Sequence, residues 1–146
     1  MAHSWVTWLT QCDEKLYTTK ECGLAAAVAF SISDDGLISG ASAGDCDAWI
    51  FGQGSPIHLT EIQFRKPLLG DGKASPRGFQ AQLTRGVLVV ATDGLWKYMS
   101  HTSIATIVEA HASIKDAAQA LARGVRLPNG SLQDDVAIAI CELSKS

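Results

Sequence analysis

In Val87-Leu88-Val89-Val90-Ala91-Thr92-Asp93-Gly94-Leu95-Trp96, an apolar run ends at a carboxylate. A run of this composition is typical of a strand that is buried on both faces. An ionised carboxylate at the tip of such a strand costs free energy unless it is hydrogen-bonded, solvated or bound to a cation. Two interpretations are open: Asp93 accepts a backbone hydrogen bond within a turn, or it belongs to a cation site.

Further carboxylates stand at the ends of other predicted strands. Asp134 and Asp135 directly precede the apolar run of residues 136–141, and Asp45 lies between two strand-like stretches. If the strands next to Asp93 and Asp135 are adjacent and antiparallel, these carboxylates meet at one edge of a sheet. Converging carboxylates repel one another unless a cation holds them, and hard oxygen ligands suit Mg²⁺ or Mn²⁺. The pattern favours a carboxylate metal site.

Length and composition limit the possible architectures and partners. The chain has 146 residues, of which 47% are hydrophobic, which is enough for a single domain with a real core. A net charge of -3 with only 12 basic residues gives no electrostatic footprint for nucleic acid or an anionic membrane, so neither partner is expected. No signal peptide or membrane span is visible, and a cytoplasmic location is expected.

The cysteines predict small core residues in a reducing compartment. They form no C-x-x-C pair, so neither disulfides nor a structural zinc site is expected. The four positions are Cys12, Cys22, Cys46 and Cys141.

Hydrophobic periodicity predicts a helix followed by several strands. Trp5, Trp8 and Leu9 recur at helical spacing within residues 3–12, and their apolar face has no obvious partner in the chain. Asp34-Asp35-Gly36 predicts a hairpin turn, and a meander is the simplest pairing of the strands that follow. These strands are predicted over residues 24–32, 36–43, 47–52 and about 79–84.

Two helices and a final strand are predicted after Trp96. Ser100 or Thr102 can cap the first helix, and the second carries an apolar stripe from Ile114 to Val125. The turn cluster Leu127-Pro128-Asn129-Gly130 then leads to the aspartate pair and the last strand.

The least regular segment spans about residues 55–76. Its piece Gly70-Asp71-Gly72-Lys73-Ala74-Ser75 superficially suggests a phosphate-binding loop, but the required glycine is replaced by Pro67 and no Ser or Thr follows the lysine directly, so we reject that interpretation. Basic side chains of this region are either contacts for a phosphorylated substrate or solvated surface residues. They are Arg65, Lys66, Lys73 and Arg77.

Three ordered motifs resemble those of the metal-dependent protein phosphatases, the type 2C or PPM family. They are Gly44-Asp45 before a strand, Ala91-Thr92-Asp93-Gly94-Leu95-Trp96 before two helices, and Asp134-Asp135-Val136 at the start of the last strand. Glu21-Cys22-Gly23-Leu24-Ala25 is similar to a segment that opens a central strand in that family, and Arg65-Lys66-Pro67-Leu68-Leu69-Gly70 resembles a flap of some bacterial members. The resemblance covers residues from about 21 to 143.

The resemblance implies an α+β fold, a layered α/β-β/α sandwich of antiparallel sheets flanked by helices. It also implies hydrolysis of phosphoserine and phosphothreonine by water activated on two to three Mg²⁺ or Mn²⁺ ions. Carried over to this chain, Asp93 and Asp134 would be direct ligands of the first metal. Asp45 with Asp93 would form a third, weaker site. Gly94 would allow the tight turn that presents Asp93, and Gly44 and Asp135 would support the site.

The chain departs from the family in one essential motif. It contains no Asp-Gly-His-Gly-Gly sequence, whose aspartate bridges both catalytic metals in the family. We therefore expect a single domain over residues 1–146 that corresponds to the C-terminal two-thirds of a bacterial member and lacks the first strands. The histidines lie in no motif that could replace the lost acid.

Two functions remain open from the sequence. One is a protein serine/threonine phosphatase, present either as a fragment or as a truncated protein that regains the missing strands from another chain. The other is an inactive phosphatase-like domain for binding or self-association. Expected partners are a phosphoprotein substrate or a chain that completes the fold. A homo-oligomer is expected, because exposed sheet edges and apolar faces tend to find partners.

Overall fold

The computed structural model describes residues 2–19 and 23–144, which form a mixed α+β fold with antiparallel sheets. The predicted fold class is therefore confirmed in these terms. In chain order the elements are α1 (Ala2–Thr19), β1 (Ala27–Ile32), β2 (Leu37–Ala43), β3 (Asp47–Phe51), β4 (Ile57–His58), β5 (Arg77–Gln82), β6 (Val87–Ala91), α2 (Asp93–Trp96), α3 (His101–Ala110), α4 (Ile114–Gly124) and β7 (Ile138–Cys141).

These elements fall into two compact units. The first unit comprises Met1–Cys46 and Leu59–Gln82, and the second comprises Asp47–His58 and Leu83–Ser146. The first contains α1 and a three-stranded sheet in the order β1-β2-β5, and the second contains α2 to α4 and a four-stranded sheet in the order β4-β3-β6-β7. None of the helices in the described ranges combines the length and the apolar character that a membrane span needs.

The β1–β2 hairpin of the first unit is confirmed. Its turn includes Gly36 at a φ of 85°, a conformation that glycine adopts without the steric cost of a side chain, and Ile32 pairs with Ile38. The meander beyond β2 is wrong, because β2 pairs next with β5 and β3 pairs with β4 and β6. At Gly40 a Cβ would lie 2.6 Å from the Ala29 carbonyl oxygen in β1 and 2.6 Å from the tip of the Phe79 ring in β5, so the sheet has no room for a side chain there.

Helix α1 is longer than predicted and packs on the sheet of its own unit. Leu9 is 1% exposed in a cluster with buried residues of β2, and Trp5 packs against this cluster. The expectation that this apolar face lacks a partner within the chain is therefore wrong. Trp8 remains 51% exposed beside Trp5, with ring centroids 6.2 Å apart in an edge-to-face arrangement.

A buried carboxylate of α1 organises the irregular loop. Asp13 is 2% exposed and accepts backbone N–H bonds from Gly70 at 2.6 Å, Gly72 at 3.1 Å and Ala74 at 3.0 Å. Gly70 and Gly72 have φ values of 98° and 76°, which turn their amides toward one point. The segment that superficially resembles a phosphate-binding loop thus binds an anion that the chain itself supplies.

The Asp13 interaction predicts a large effect of its removal. Replacing Asp13 by Ala removes the buried acceptor that three loop amides share, and we expect a loss of about 3 kcal/mol or more in the free energy of unfolding. Asp13→Asn retains one acceptor oxygen and should lose less. Urea denaturation measures the free energy of unfolding of both variants. Glu14→Ala, at an exposed neighbouring position, is the matched control and should unfold with a free energy within about 0.5 kcal/mol of the wild type. Equal stability of the Asp13 and Glu14 variants would contradict this account.

The second unit packs its helices against the four-stranded sheet. Ser100 caps α3 by accepting the Ser103 N–H at 3.1 Å, and Ser113 caps α4 by accepting the Asp116 N–H at 3.1 Å. Residues 93–96, expected as a turn, form the one-turn helix α2. One buried hydrophobic cluster between these helices and the sheet contains Phe51, Val89, Ala91, Leu95, Ile104, Val108, Ala117, Leu121 and Val125.

The described cysteines differ in burial, and Cys12 and Cys141 are free thiols. Cys46 is buried as expected, whereas Cys12 and Cys141 are only partly buried. Burial raises the pKa of the Cys141 thiol above its ordinary value. Cys22 lies outside the described residues, as does part of the predicted motif of residues 21–25.

Candidate metal centre

Three aspartates gather at one edge of the four-stranded sheet. Strand β6 runs antiparallel to β3 and β7, with Ala91 opposite both Asp47 and Ile138. The end of β6 therefore lies beside the beginnings of β3 and β7, as the sequence predicts for β6 and β7. Asp93 follows the end of β6, Asp47 begins β3, and Asp134 precedes β7 by four residues.

A close backbone contact fixes Asp93 relative to the segment that carries Asp134. The Thr92 N–H donates to the Ala137 carbonyl at 3.1 Å, and the Ala137 N–H donates to the Thr92 hydroxyl at 3.0 Å. The Thr92 hydroxyl in turn donates to the Asp135 carbonyl at 3.3 Å. Trp96 anchors the other end of α2 by donating its Nε1–H to the Ala91 carbonyl at 2.9 Å.

Glycine is required at position 94 by this contact. A Cβ there would lie 2.3 Å from the Asp135 carbonyl oxygen and 2.8 Å from Val136 Cγ2. The turn role predicted for Gly94 thus has a different physical basis, which is close approach of two backbones rather than a left-handed conformation.

Substitution of Gly94 tests this geometry. Gly94→Ala must push α2 away from residues 135–136, and we expect the free energy of unfolding to fall by about 1–3 kcal/mol. The control Gly23→Ala adds a methyl group where no atom lies within 4 Å, and it should change stability little. Thermal and urea unfolding measure both variants. If the Gly94→Ala protein is as stable as the Gly23→Ala protein, residues 135–136 do not exclude a side chain at position 94.

A single cation lies between the two predicted metal ligands. The Lys97 ammonium makes an ion pair with Asp93 Oδ2 and lies 3.6 Å from Asp134 Oδ2. The hydrogen bond and the charge of Asp93 raise the pKa of Lys97, so the side chain is cationic at neutral pH. The lysine side chain is 49% exposed, and those of Asp93 and Asp134 are 20% and 40% exposed. Sequence reasoning missed Lys97, although a lysine four residues after a helical aspartate is a recognisable ion-pair spacing.

The two carboxylates supply part of the oxygen ligand set that a divalent ion needs. Both present hard oxygens to one cation, and Mg²⁺ commonly takes one or two protein carboxylates and completes its shell with water. In the described residues, however, no group of three or more His, Cys, Asp or Glu side chains is arranged to hold a metal. Asp93 and Asp134 therefore fit one divalent ion as two of its ligands, and in this structure the Lys97 ammonium contacts Oδ2 of both.

The third aspartate of the edge is paired with a histidine. His58 Nε2 lies 3.0 Å from Asp47 Oδ1. The His58 ring stacks on Trp49 with centroids 4.1 Å apart, and His101 contacts Trp49 at the same centroid distance. Sequence reasoning did not identify the Asp47–His58 pair, because the two residues are close only through the antiparallel pairing of β3 and β4.

Asp45 and Gly44 belong to the first unit. Gly44 is buried with a φ of 94°, its N–H donates to the Phe64 carbonyl at 3.2 Å, and a Cβ there would lie 2.6 Å from that of Ala26. Gly44 thus requires both its conformation and its lack of a side chain. Asp45 follows it as a partly buried residue, and its role as a ligand stays a prediction.

The basic residues suggested for substrate contact are all exposed. The Arg77 guanidinium lies 4.5 Å from the centre of the Phe64 ring, a cation–π contact within the first unit. Lys66 lines a surface cavity with Leu24 and neighbouring loop residues. Lys73 lies in the loop that surrounds Asp13. Contact of these side chains with a substrate stays a prediction, as it does for Arg65.

Comparison with solved structures places this fold among bacterial phosphatases. A bacterial serine phosphatase matches 99% of this chain and 72% of its own, with a TM-score of 0.80 and 15% identity. Serine/threonine phosphatase Stp1 from Staphylococcus aureus matches 97% of this chain and 66% of its own, with a TM-score of 0.78 and 16% identity. The S. agalactiae serine/threonine phosphatase matches 92% of this chain and 67% of its own, with a TM-score of 0.77 and 20% identity.

The chain has the fold of the bacterial serine/threonine phosphatases. The resemblance predicted from three short motifs is thereby confirmed for the fold. No protein-family model matches the sequence, and a search of curated proteins finds no significant match. The chain spans about two-thirds to three-quarters of the length of these phosphatases.

Proposed function

We propose that this chain is a phosphatase domain for phosphoserine and phosphothreonine in proteins, with Asp93 and Asp134 as ligands of Mg²⁺ or Mn²⁺. One observation carries the proposal: two carboxylates meet on one cation, at the end of paired strands, in a phosphatase fold. Neither the fold nor a carboxylate pair would suffice alone, because folds host many functions and many surface carboxylates form ion pairs.

The residues of the site have separate tasks in this proposal. A bound divalent ion supplies an activated water and neutralises charge on the phosphoryl oxygens. Asp93 and Asp134 hold it, and the hydrogen bonds of Thr92 keep the two carboxylates at a fixed separation. The Asp135 N–H donates to Asp134 Oδ1 at 2.9 Å, which orients the second ligand. Asp45 is proposed as a further ligand, as expected for an intact site with two to three ions.

The ligand that bridges two metals in the family has no counterpart in the sequence. We propose that another segment or a partner chain supplies it, and that a phosphoprotein is the substrate. Self-association would be one way to bring such a segment to the site. Light scattering tests this part: we expect a dimer or larger assembly, and a monodisperse monomer would count against it.

A second candidate function is a phosphatase-like domain that binds without catalysis. The specific observation in its favour is Lys97, whose ammonium satisfies both carboxylates without any metal. In that case the acidic edge is held together by an ion pair and has a structural role.

Phosphatase assays separate the two functions. We expect Mn²⁺-dependent hydrolysis of a phosphothreonine peptide and of para-nitrophenyl phosphate. The assay uses the protein in the assembled form in which a partner chain supplies the bridging ligand. Asp93→Asn should lower kcat/KM by about two orders of magnitude or more, because the metal contributes several kcal/mol of transition-state stabilisation. Asp34→Asn, an exposed hairpin residue with the same change in charge, is the matched control and should keep wild-type activity.

Each outcome assigns a function. Turnover that Asp93→Asn abolishes supports the enzyme. Absence of turnover, together with a melting temperature that rises with Mn²⁺, indicates a retained metal site without chemistry. A protein that neither turns over substrate nor responds to Mn²⁺ or Mg²⁺ contradicts the proposed metal centre.

A further inference from the structure

Lys97 is fixed beside Asp93 by the backbone of α2. Its N–H donates to the Asp93 carbonyl at 2.9 Å as the helix ends, so the two side chains emerge one turn apart on the same face. This arrangement directs a flexible four-carbon stem toward the carboxylate pair. The ammonium reaches both Asp93 and Asp134, which belong to different segments of the chain.

One cation at this position excludes another. An ammonium in contact with both carboxylates uses the oxygens that a divalent ion would bind, and its positive charge repels such an ion at close range. The side chain of Lys97 is half exposed, so its ammonium can leave the pair and be solvated. Ion pairs at exposed positions are weak, and a divalent ion with two carboxylate ligands can therefore displace it.

We propose that Lys97 is a built-in competitor for the metal, which holds Asp93 and Asp134 in the metal-free protein and must swing out when a divalent ion binds. Lys97 thereby neutralises the repulsion between the carboxylates and lowers the affinity of the site for Mg²⁺ or Mn²⁺. This inference rests on the metal site of the proposed function and adds a residue that controls its occupancy.

Mn²⁺ titration followed by electron paramagnetic resonance of the free ion tests the competition without any assay of activity. Lys97→Met retains an unbranched apolar side chain but removes the charge, and we expect it to bind Mn²⁺ about three- to tenfold more tightly than the wild type. Lys97→Arg retains a cation and should bind no more tightly than the wild type. Lys115→Met, at an exposed position on α4, makes the same change in net charge and should leave affinity unchanged.

Salt distinguishes direct contact from a general charge effect. In about 1 M salt, where the Debye length is about 3 Å, a long-range effect of Lys97 would vanish, whereas displacement from direct contact should persist. An Mn²⁺ affinity of Lys97→Met that equals the wild-type value, or a gain that disappears in high salt, would overturn the proposal.

A measurement on the unmodified protein covers the case in which Lys97→Met fails to fold. Acetylation of lysines, followed by mass spectrometry, should label Lys97 several-fold faster after Mg²⁺ is added, with Lys115 as the internal reference. An unchanged Lys97 rate at saturating Mg²⁺ overturns the competition but leaves the metal site intact. If neither the wild type nor Lys97→Met binds Mn²⁺, both this inference and the proposed metal function fail.

Discussion

The contact between residues 92–94 and residues 135–137 is the constraint on which the candidate site depends. Its hydrogen bonds through Thr92 join the end of β6 to the approach to β7, and its closeness excludes any side chain at position 94. Two carboxylates that are 41 positions apart in the sequence, Asp93 and Asp134, are thereby held on one cation. Without this contact, their mutual repulsion would favour separation.

The sequence predicts the local parts of this arrangement better than the long-range pairing. The apolar run that ends at Asp93 and the run after Asp135 predict two buried strands with carboxylates at one edge, and the structure pairs them. Strand neighbours are harder to predict, because a polar–apolar pattern identifies a strand without naming its partner. The pairing of β2 with β5 places Gly40 opposite Phe79, 39 positions further along the chain, and no local signal shows this.

Internal charges explain two further differences between sequence and structure. The glycine-rich loop suggests an external anion, but the carboxylate of Asp13 occupies its amides. The aspartate pair suggests an external cation, and the ammonium of Lys97 lies there. In both cases the charge of the missing partner can be inferred from the residues, whereas the structure shows that a side chain of the chain itself supplies it. The Lys97 ammonium is half exposed and its ion pairs are weak, so a metal ion can displace it from the two carboxylates.

A crystal structure of the protein soaked in Mn²⁺, with anomalous diffraction to locate the ion, would show directly whether Asp93 and Asp134 bind a metal. We expect an anomalous peak within coordinating distance of both carboxylates, with the Lys97 ammonium turned away into solvent. A map without a peak at these carboxylates, in which Lys97 still bridges them, would contradict the metal site.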